Sequence, residues 1–269
     1  CADGARIYDP NHADSPQVVN AVEFESYRSE TRKGQQALAL DDEFDAVSSA
    51  LFEGRNCTEA SDVGRASVAF FPLGDGEGVL RHFKRGGWIA SCLGNRYFGN
   101  RMLAEFAVLQ AYHEAGGNVP QPLGVRWEKR GPLYCGAIAT RRLQGVTLLR
   151  FLSDGDGSKA DGVLQQAGSV VRQMHDYGLW HADLQVKNLM VVDESVWIID
   201  FDNGKKKDRL FDVARARNLL RLRRSFEKHG LTLDNFAMFM NGYGVVRIPR
   251  WLDWIYRVRG ASAQYRGGR

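Results

Sequence analysis

Cysteine is scarce in this 269-residue chain. Four residues, at positions 1, 57, 92 and 135, show no paired spacing. That argues against a zinc site or a disulfide framework and fits a reducing compartment. Long apolar runs are missing too: none approaches membrane-spanning length, and no signal peptide is visible. No internal repeat or low-complexity tract appears, and no recognition motif for DNA or RNA.

What is present is a globular composition, 44% hydrophobic and 25% charged, with enough residues for one large domain or two lobes. The net charge is only +4, but it is unevenly spread. Residues 1–60 carry twelve Asp/Glu against five Lys/Arg, and residues 200–269 carry sixteen Lys/Arg against seven Asp/Glu. A basic C-terminal third suits an anionic partner: a phosphorylated substrate, an anionic membrane surface or nucleic acid. A merely solvated helix surface is the plain alternative. Without a nucleic-acid motif, nucleic acid is not expected as a partner.

The most informative stretch is His181-Ala182-Asp183-Leu184-Gln185-Val186-Lys187-Asn188, followed by Ile199-Asp200-Phe201-Asp202. A protein-kinase catalytic loop has His-x-Asp, an Asn five residues after the Asp, and an Asp-Phe pair about a dozen residues later. The chain matches that spacing. Asp183 has the chemistry to accept the proton of an attacking hydroxyl. Asn188 and Asp200 offer hard oxygen ligands for Mg²⁺ bridging ATP phosphates. Between them, residues 188–192 and 196–199 read as a β-hairpin around the polar turn Asp193-Glu194-Ser195.

Upstream, residues 64–84 read as a β-meander. Two Gly-rich turns compete to cover phosphates: residues 64–67, with Gly64, Arg65 and Ser67, and residues 74–78. The first joins the strands expected over the nucleotide; the second is the distal hairpin turn. The strand at 79–83 should bear the phosphate-contacting cation, Arg81 or Lys84, with Arg81 favoured because it lies within the β run. A helix over 100–115 carries Glu105, placed to pair with that cation. Leu133–Thr140 reads as the strand reaching the hinge, 141–145 as the linker, and Thr147 as the cap of a following helix. A long amphipathic helix is expected over 161–177, stopped by Tyr177-Gly178.

After Asp202, the basic run 205–207 leads almost directly into a helix expected at 208–228. Two further things are missing here: room for a long activation segment, and a Gly after Asp200-Phe201. Both depart from a regulated protein kinase and point to a small-molecule or glycolipid acceptor. Near the C-terminus, Ile248, Trp251, Leu252, Ile255 and Val258 form an apolar stripe with Arg250, Arg257 and Arg259 largely elsewhere. That pattern suits a helix resting at a lipid interface, or equally one closing a core.

Leu80-Arg81-His82-Phe83-Lys84-Arg85-Gly86-Gly87, Glu105-Phe106, His181-Ala182-Asp183-Leu184 and Ile199-Asp200-Phe201-Asp202 together resemble the 3-deoxy-D-manno-octulosonic acid (Kdo) kinase family of lipopolysaccharide inner-core synthesis. The resemblance covers about residues 60–230. It implies an α+β, protein-kinase-like two-lobed fold with a β-rich N-lobe and a mostly helical C-lobe. It also implies ATP as donor and the 4-hydroxyl of Kdo on lipid A as acceptor. The implied location is peripheral, on the cytoplasmic face of the bacterial inner membrane. The family's catalytic Asp corresponds to Asp183. The expected organisation is an N-terminal extension (1–60), an N-lobe (61–142) and a C-lobe (143–269). Gln185 stands where many protein kinases carry Lys, leaving Lys187 as a substitute cation. The alternatives are a heptose kinase, an aminoglycoside- or choline-type kinase, or a non-catalytic lipopolysaccharide-binding pseudokinase. The intact Asp183, Asn188 and Asp200 argue against the last.

Overall fold

A computed structural model describes residues 24–54, 57–59, 68–82, 97–154, 157–249 and 251–252. The chain forms two compact units: residues 1–114 with 120–142, and residues 115–119 with 143–269.

The first unit is built on an antiparallel sheet. In chain order its elements are β1 (Tyr27–Arg32), β2 (Gln35–Leu40), α1 (Phe44–Glu53), β3 (Thr58–Glu59), β4 (Val68–Pro72), β5 (Glu77–His82), β6 (Tyr97–Phe98), α2 (Arg101–Glu114), β7 (Pro122–Arg130) and β8 (Leu133–Arg141). The strands lie in the order β1-β2-β7-β8-β5-β4-β3, and β6 also pairs with β8. The core under α1 gathers Ala37, Ala39, Val47, Leu51, Leu80 and Leu123, all at most 2% exposed.

The expected extension takes part in this unit, because residues 24–53 supply two strands and a helix. The sequence predicts a helix around 41–52, and α1 runs over Phe44–Glu53, but it does not announce the two strands. Ala37 and Ala39 are small, so the inward face of β2 carries weak periodicity. The segment is anchored instead by aromatic contacts. Phe24 and Tyr27 sit 5.7 and 5.2 Å from the Phe106 ring of α2, and the Tyr27 hydroxyl lies 2.7 Å from the Pro122 carbonyl oxygen. Burial pushes the Tyr27 phenol well above its ordinary pKa.

Helix α2 runs where the spacing predicts. The Asn100 side chain caps it, accepting from the Leu103 backbone N–H at 3.1 Å. β4 and β5 pair as expected across the Gly-rich turn, with Arg81 opposite Val68. The other Gly-rich turn, with Gly64, Arg65 and Ser67, lies outside the described residues, as do Lys84 and Gly86-Gly87.

The second unit contains β9 (Val146–Thr147), α3 (Leu148–Asp154), α4 (Ala160–Asp176), β10 (Leu179–Trp180), β11 (Leu189–Val192), β12 (Ser195–Ile198), β13 (Lys205–Lys206), α5 (Asp212–Lys228) and α6 (Leu233–Tyr243). Thr147 caps α3 through its hydroxyl oxygen, 3.2 Å from the Arg150 N–H. Residues 115–119 belong here because Asn118 bonds β12 twice. Its side-chain N–H donates to the Val196 carbonyl, and its own carbonyl accepts from the Ile198 N–H, both at 2.9 Å.

Helices α4 and α6 pack closely enough that a Cβ at Gly168 would come within 2.0 Å of the Phe239 carbonyl oxygen. No side chain fits there without the helices moving apart.

One expectation is corrected. The basic run 205–207 does not enter a helix at 208; α5 begins at Asp212. Lys205 and Lys206 pair instead with Trp180 and Leu179, and the Lys207 N–H donates to the Gly178 carbonyl at 3.0 Å. Gly178, at φ 92°, both ends α4 and permits this approach, since a Cβ there would lie 2.1 Å from the Lys207 carbonyl oxygen. The segment after Asp202 is thereby folded back against the strand that leads into His181. The C-terminal amphipathic stripe lies mostly outside the described residues.

Candidate active site

The loop between β10 and β11 carries Asp183 and is held from below by a buried, neutral hydrogen-bond network. His181 is fully buried and tilted against the Phe201 ring at 5.0 Å. Its Nδ1 accepts from the Asp183 backbone N–H at 3.1 Å, so the proton belongs on Nε2, which donates to the Ile199 carbonyl at 3.1 Å. Burial lowers the His181 pKa, which agrees with this neutral tautomer. The imidazole therefore ties the Asp183 segment to the Asp200 segment.

Asn218, buried within α5, closes the loop from the other side. Its amide donates to the His181 carbonyl at 2.7 Å, and its Oδ1 accepts from the His181 N–H at 3.2 Å. The same Oδ1 lies 3.1 Å from His175 Nε2 on α4, while His175 Nδ1 lies 2.9 Å from the Tyr243 hydroxyl. With Oδ1 able only to accept, His175 carries its proton on Nε2 and the Tyr243 hydroxyl donates to Nδ1. Burial pulls the His175 pKa down to about 4. Further along the loop, the Ser225 hydroxyl oxygen accepts from the Val186 N–H at 3.1 Å. One helix, α5, thus bonds the loop directly, and α4 and α6 back Asn218 through His175 and Tyr243, groups that no local spacing marks as partners.

Above this layer the side chains are charged and more exposed. The Asp183 carboxylate accepts from Gln185 Nε2 on one oxygen and from Arg221 Nη1, at 2.9 Å, on the other. Arg221, on α5, escapes any motif search because it lies 38 residues beyond Asp183. Asn188 uses its side-chain N–H on the Asp183 carbonyl at 2.9 Å, which leaves its oxygen for other work. Its own carbonyl accepts from the Ile199 N–H at 3.0 Å. Asn188 and Asp200 therefore flank the open end of the β11–β12 hairpin, in which Leu189 faces Ile198.

Asp200 is exposed and adopts φ 63°, a left-handed conformation that Asp tolerates better than most residues. Its neighbour Phe201 is 1% exposed. The left-handed residue thus marks where the chain turns from a buried ring to a surface carboxylate. Lys187, the substitute cation, is exposed on the short 3₁₀ turn Val186–Asn188.

In the first unit, Arg81 on β5 forms an ion pair and hydrogen bond with Glu105 on α2. The Glu105 side chain is 4% exposed and the Arg81 side chain 22%. A buried carboxylate beside a partly open guanidinium fixes the latter's direction.

Among the described residues no cluster of three or more His, Cys, Asp and Glu is set to hold a metal ion. Mg²⁺ in phosphoryl-transfer sites is commonly held by one or two hard oxygen ligands, completed by water and phosphate. Asn188 and Asp200 fit that donor set.

The lipopolysaccharide kinase (Kdo/WaaP) family model matches residues 54–243. The chain belongs to this family. A 3-deoxy-D-manno-octulosonic acid kinase of Vibrio cholerae is 35% identical over 175 residues, covering 62% of this chain and 73% of that protein. One from Xylella fastidiosa is 34% identical over 181 residues, covering 65% and 72%. Among solved structures, WaaP in complex with acyl carrier protein matches with a TM-score of 0.53 at 18% identity, over 83% of this chain and 90% of that one. The spectinomycin phosphotransferase APH(9)-Ia, in complex with ADP and spectinomycin, matches with a TM-score of 0.50 at 12% identity, over 76% and 78%. At these identities the structural matches speak to fold alone. The chain is thus an α+β protein with a protein-kinase-like fold, and family membership makes it a kinase of lipopolysaccharide biosynthesis.

Proposed function

We propose that the protein transfers the γ-phosphoryl group of ATP to the 4-hydroxyl of a Kdo residue on lipid A. The observation that carries this reading is the catalytic loop itself. Asp183 stands at the surface on a loop bonded to α5 through Asn218 and Ser225, with Asn188 and Asp200 flanking the adjoining hairpin.

In this reading Asp183 orients the acceptor hydroxyl and takes its proton as the phosphoryl group transfers. Asn188 and Asp200 hold Mg²⁺, which when bound neutralises charge on the nucleotide phosphates. Arg81, aimed by Glu105, contacts those phosphates. Gly64, Arg65 and Ser67 belong to the segment that would cover them. Most of the rate enhancement then comes from positioning and charge neutralisation, since Asp183 is a weak base.

Mass spectrometry of Kdo-lipid A after incubation with the protein and ATP tests the acceptor. One added phosphate on Kdo is expected. A phosphate on heptose when heptosylated core is supplied, with none on Kdo, would replace this reading with a heptose kinase. Phosphorylation of aminoglycosides alone would replace it with a small-molecule kinase.

We also propose peripheral contact with the anionic cytoplasmic face of the inner membrane. No helix among the described residues is long and apolar enough to cross a membrane. A cleft of about 840 Å³ in the second unit is edged by Phe211, Val213, Val245 and Trp251, all exposed, together with Arg209 and Arg247. Aromatic and apolar side chains ringed by arginine suit a headgroup layer. Co-sedimentation with vesicles rich in phosphatidylglycerol, weakened by Trp251→Ala with Phe211→Ala, is the expected result. Equal binding to neutral vesicles would count against it.

A further inference from the structure

Helix α5 carries a narrow cationic ridge. Arg217, Arg221, Arg224 and Lys228 follow one another at spacings of four, three and four residues. On a helix with 3.6 residues per turn they fall within an arc of about 60° and span roughly 16 Å of axis. The two carboxylates of α5, Asp212 and Glu227, fall outside that arc, and Glu227 pairs with Arg223. One carboxylate that meets the ridge comes from another element, Asp183 itself, at Arg221.

Folding stability does not account for this arrangement. Like charges four residues apart on a helix repel. The Arg221–Asp183 pair is 43% and 50% exposed, and exposed pairs contribute little to stability. A weakly held guanidinium is, however, well suited to exchange partners.

The hydroxyl that is to be phosphorylated must come within hydrogen-bond reach of Asp183. An anionic group close to that hydroxyl on the same sugar ring then comes within reach of the Arg221 fork. The planar guanidinium has five donors and spends one on Asp183 Oδ1, so its fork can take a carboxylate in the same place. An octulosonic acid carries a carboxylate on that ring, and a neutral heptose does not.

We propose that this ridge is the acceptor's anion-binding site. Arg221 reads the sugar carboxylate next to the catalytic Asp183, and Arg217, Arg224 and Lys228 receive further anionic groups of the glycolipid. Acceptor binding shares or draws off Arg221, freeing Asp183 Oδ1 for the hydroxyl. The inference rests on the Kdo-acceptor reading above and adds to it a residue that selects acidic sugars.

The test compares the Kdo-bearing acceptor with the same acceptor whose sugar carboxylate is a methyl ester. The wild-type protein should prefer the free acid by about 10- to 100-fold in kcat/KM, the range expected when a charge-assisted hydrogen bond is lost. Arg221→Gln should bring that ratio close to one, mainly through KM for the acid, while KM for ATP stays unchanged. Arg217→Gln should raise acceptor KM less and reduce its dependence on salt. If Arg221→Gln turns over too slowly to assay, equilibrium binding of the acid and the ester to that variant must show the same collapse. Wild-type protein that phosphorylates acid and ester equally, or an Arg221→Gln variant that keeps the wild-type ratio, would overturn the inference while leaving the acceptor reading intact. Wild-type protein that phosphorylates neither would overturn the acceptor reading itself.

Discussion

The loop that carries Asp183 has two sides, and they are built from different chemistry. Below it lie His181, His175, Asn218 and Tyr243, buried and linked by reciprocal neutral hydrogen bonds. Above it lie Asp183, Arg221 and Asp200, charged and open to solvent. A buried network holds a loop in one place because every donor left unmatched is costly. An exposed charged layer holds little but is free to exchange partners with a substrate. The lower side should therefore govern stability, and the upper side turnover.

Substitutions can break that division, and the largest effect is expected above the loop. Asp200→Ala should lower kcat on the order of 10³-fold, the scale of a lost charge-stabilising metal contact, and leave the melting temperature within a few degrees of wild type. A stability loss matching the activity loss would erase the distinction. Below the loop, Asn218→Leu strands the His181 N–H, the His181 carbonyl and His175 Nε2 together. Urea denaturation should show roughly 3 kcal/mol of lost stability, with turnover falling as the loop loses its clamp.

The third test is pH. His175 is neutral when folded, with its pKa held down to about 4 by burial, against 6.5 in an unfolded chain. The unfolded state then binds the extra proton between those values. The stabilisation is complete above pH 6.5 and is lost as pH falls towards 4, by up to about 3 kcal/mol. His181, lowered for the same reason, acts in the same direction. The urea midpoint should fall between pH 7 and 5, and His175→Gln should flatten that slope. A wild-type midpoint constant over this range would contradict the neutral network.

The smallest effect is expected in the first unit. Arg81→Lys keeps the charge but loses the fork that Glu105 orients. It should raise KM for ATP about fivefold, the scale of one weakened charge-assisted hydrogen bond, and leave acceptor KM alone.

The same division explains what the sequence made legible. Part of the upper side is local: Asp183 and Asp200, with Asn188 between them, lie on one loop and one hairpin, and their spacing predicts that placement. The helix ends were legible too, because Asn100, Thr147 and Gly178 act on their own neighbours. The lower side was not. Asn218 lies 37 residues beyond His181, inside a helix whose many arginines make it look like a solvated face. Arg221 is hidden in the same way, 38 residues from Asp183, whereas Lys187 is merely its neighbour in sequence. The strands at 27–40 escaped notice because their core contact is made by small alanines and by aromatic rings packed on a distant helix. Helix α5 starts four residues later than the sequence predicts, because nothing local announces that Lys205 and Lys206 pair with β10.

The central claim is that Asp183 is the group against which the acceptor hydroxyl is activated, on a loop that does not need that carboxylate in order to fold. The most direct measurement follows single-turnover transfer from ATP to Kdo-lipid A in the wild type and in Asp183→Ala, with nucleotide binding measured on the same samples. The account predicts unchanged nucleotide affinity, an unchanged melting temperature and transfer reduced by about 10³-fold or more. Transfer within tenfold of wild type in Asp183→Ala would contradict it.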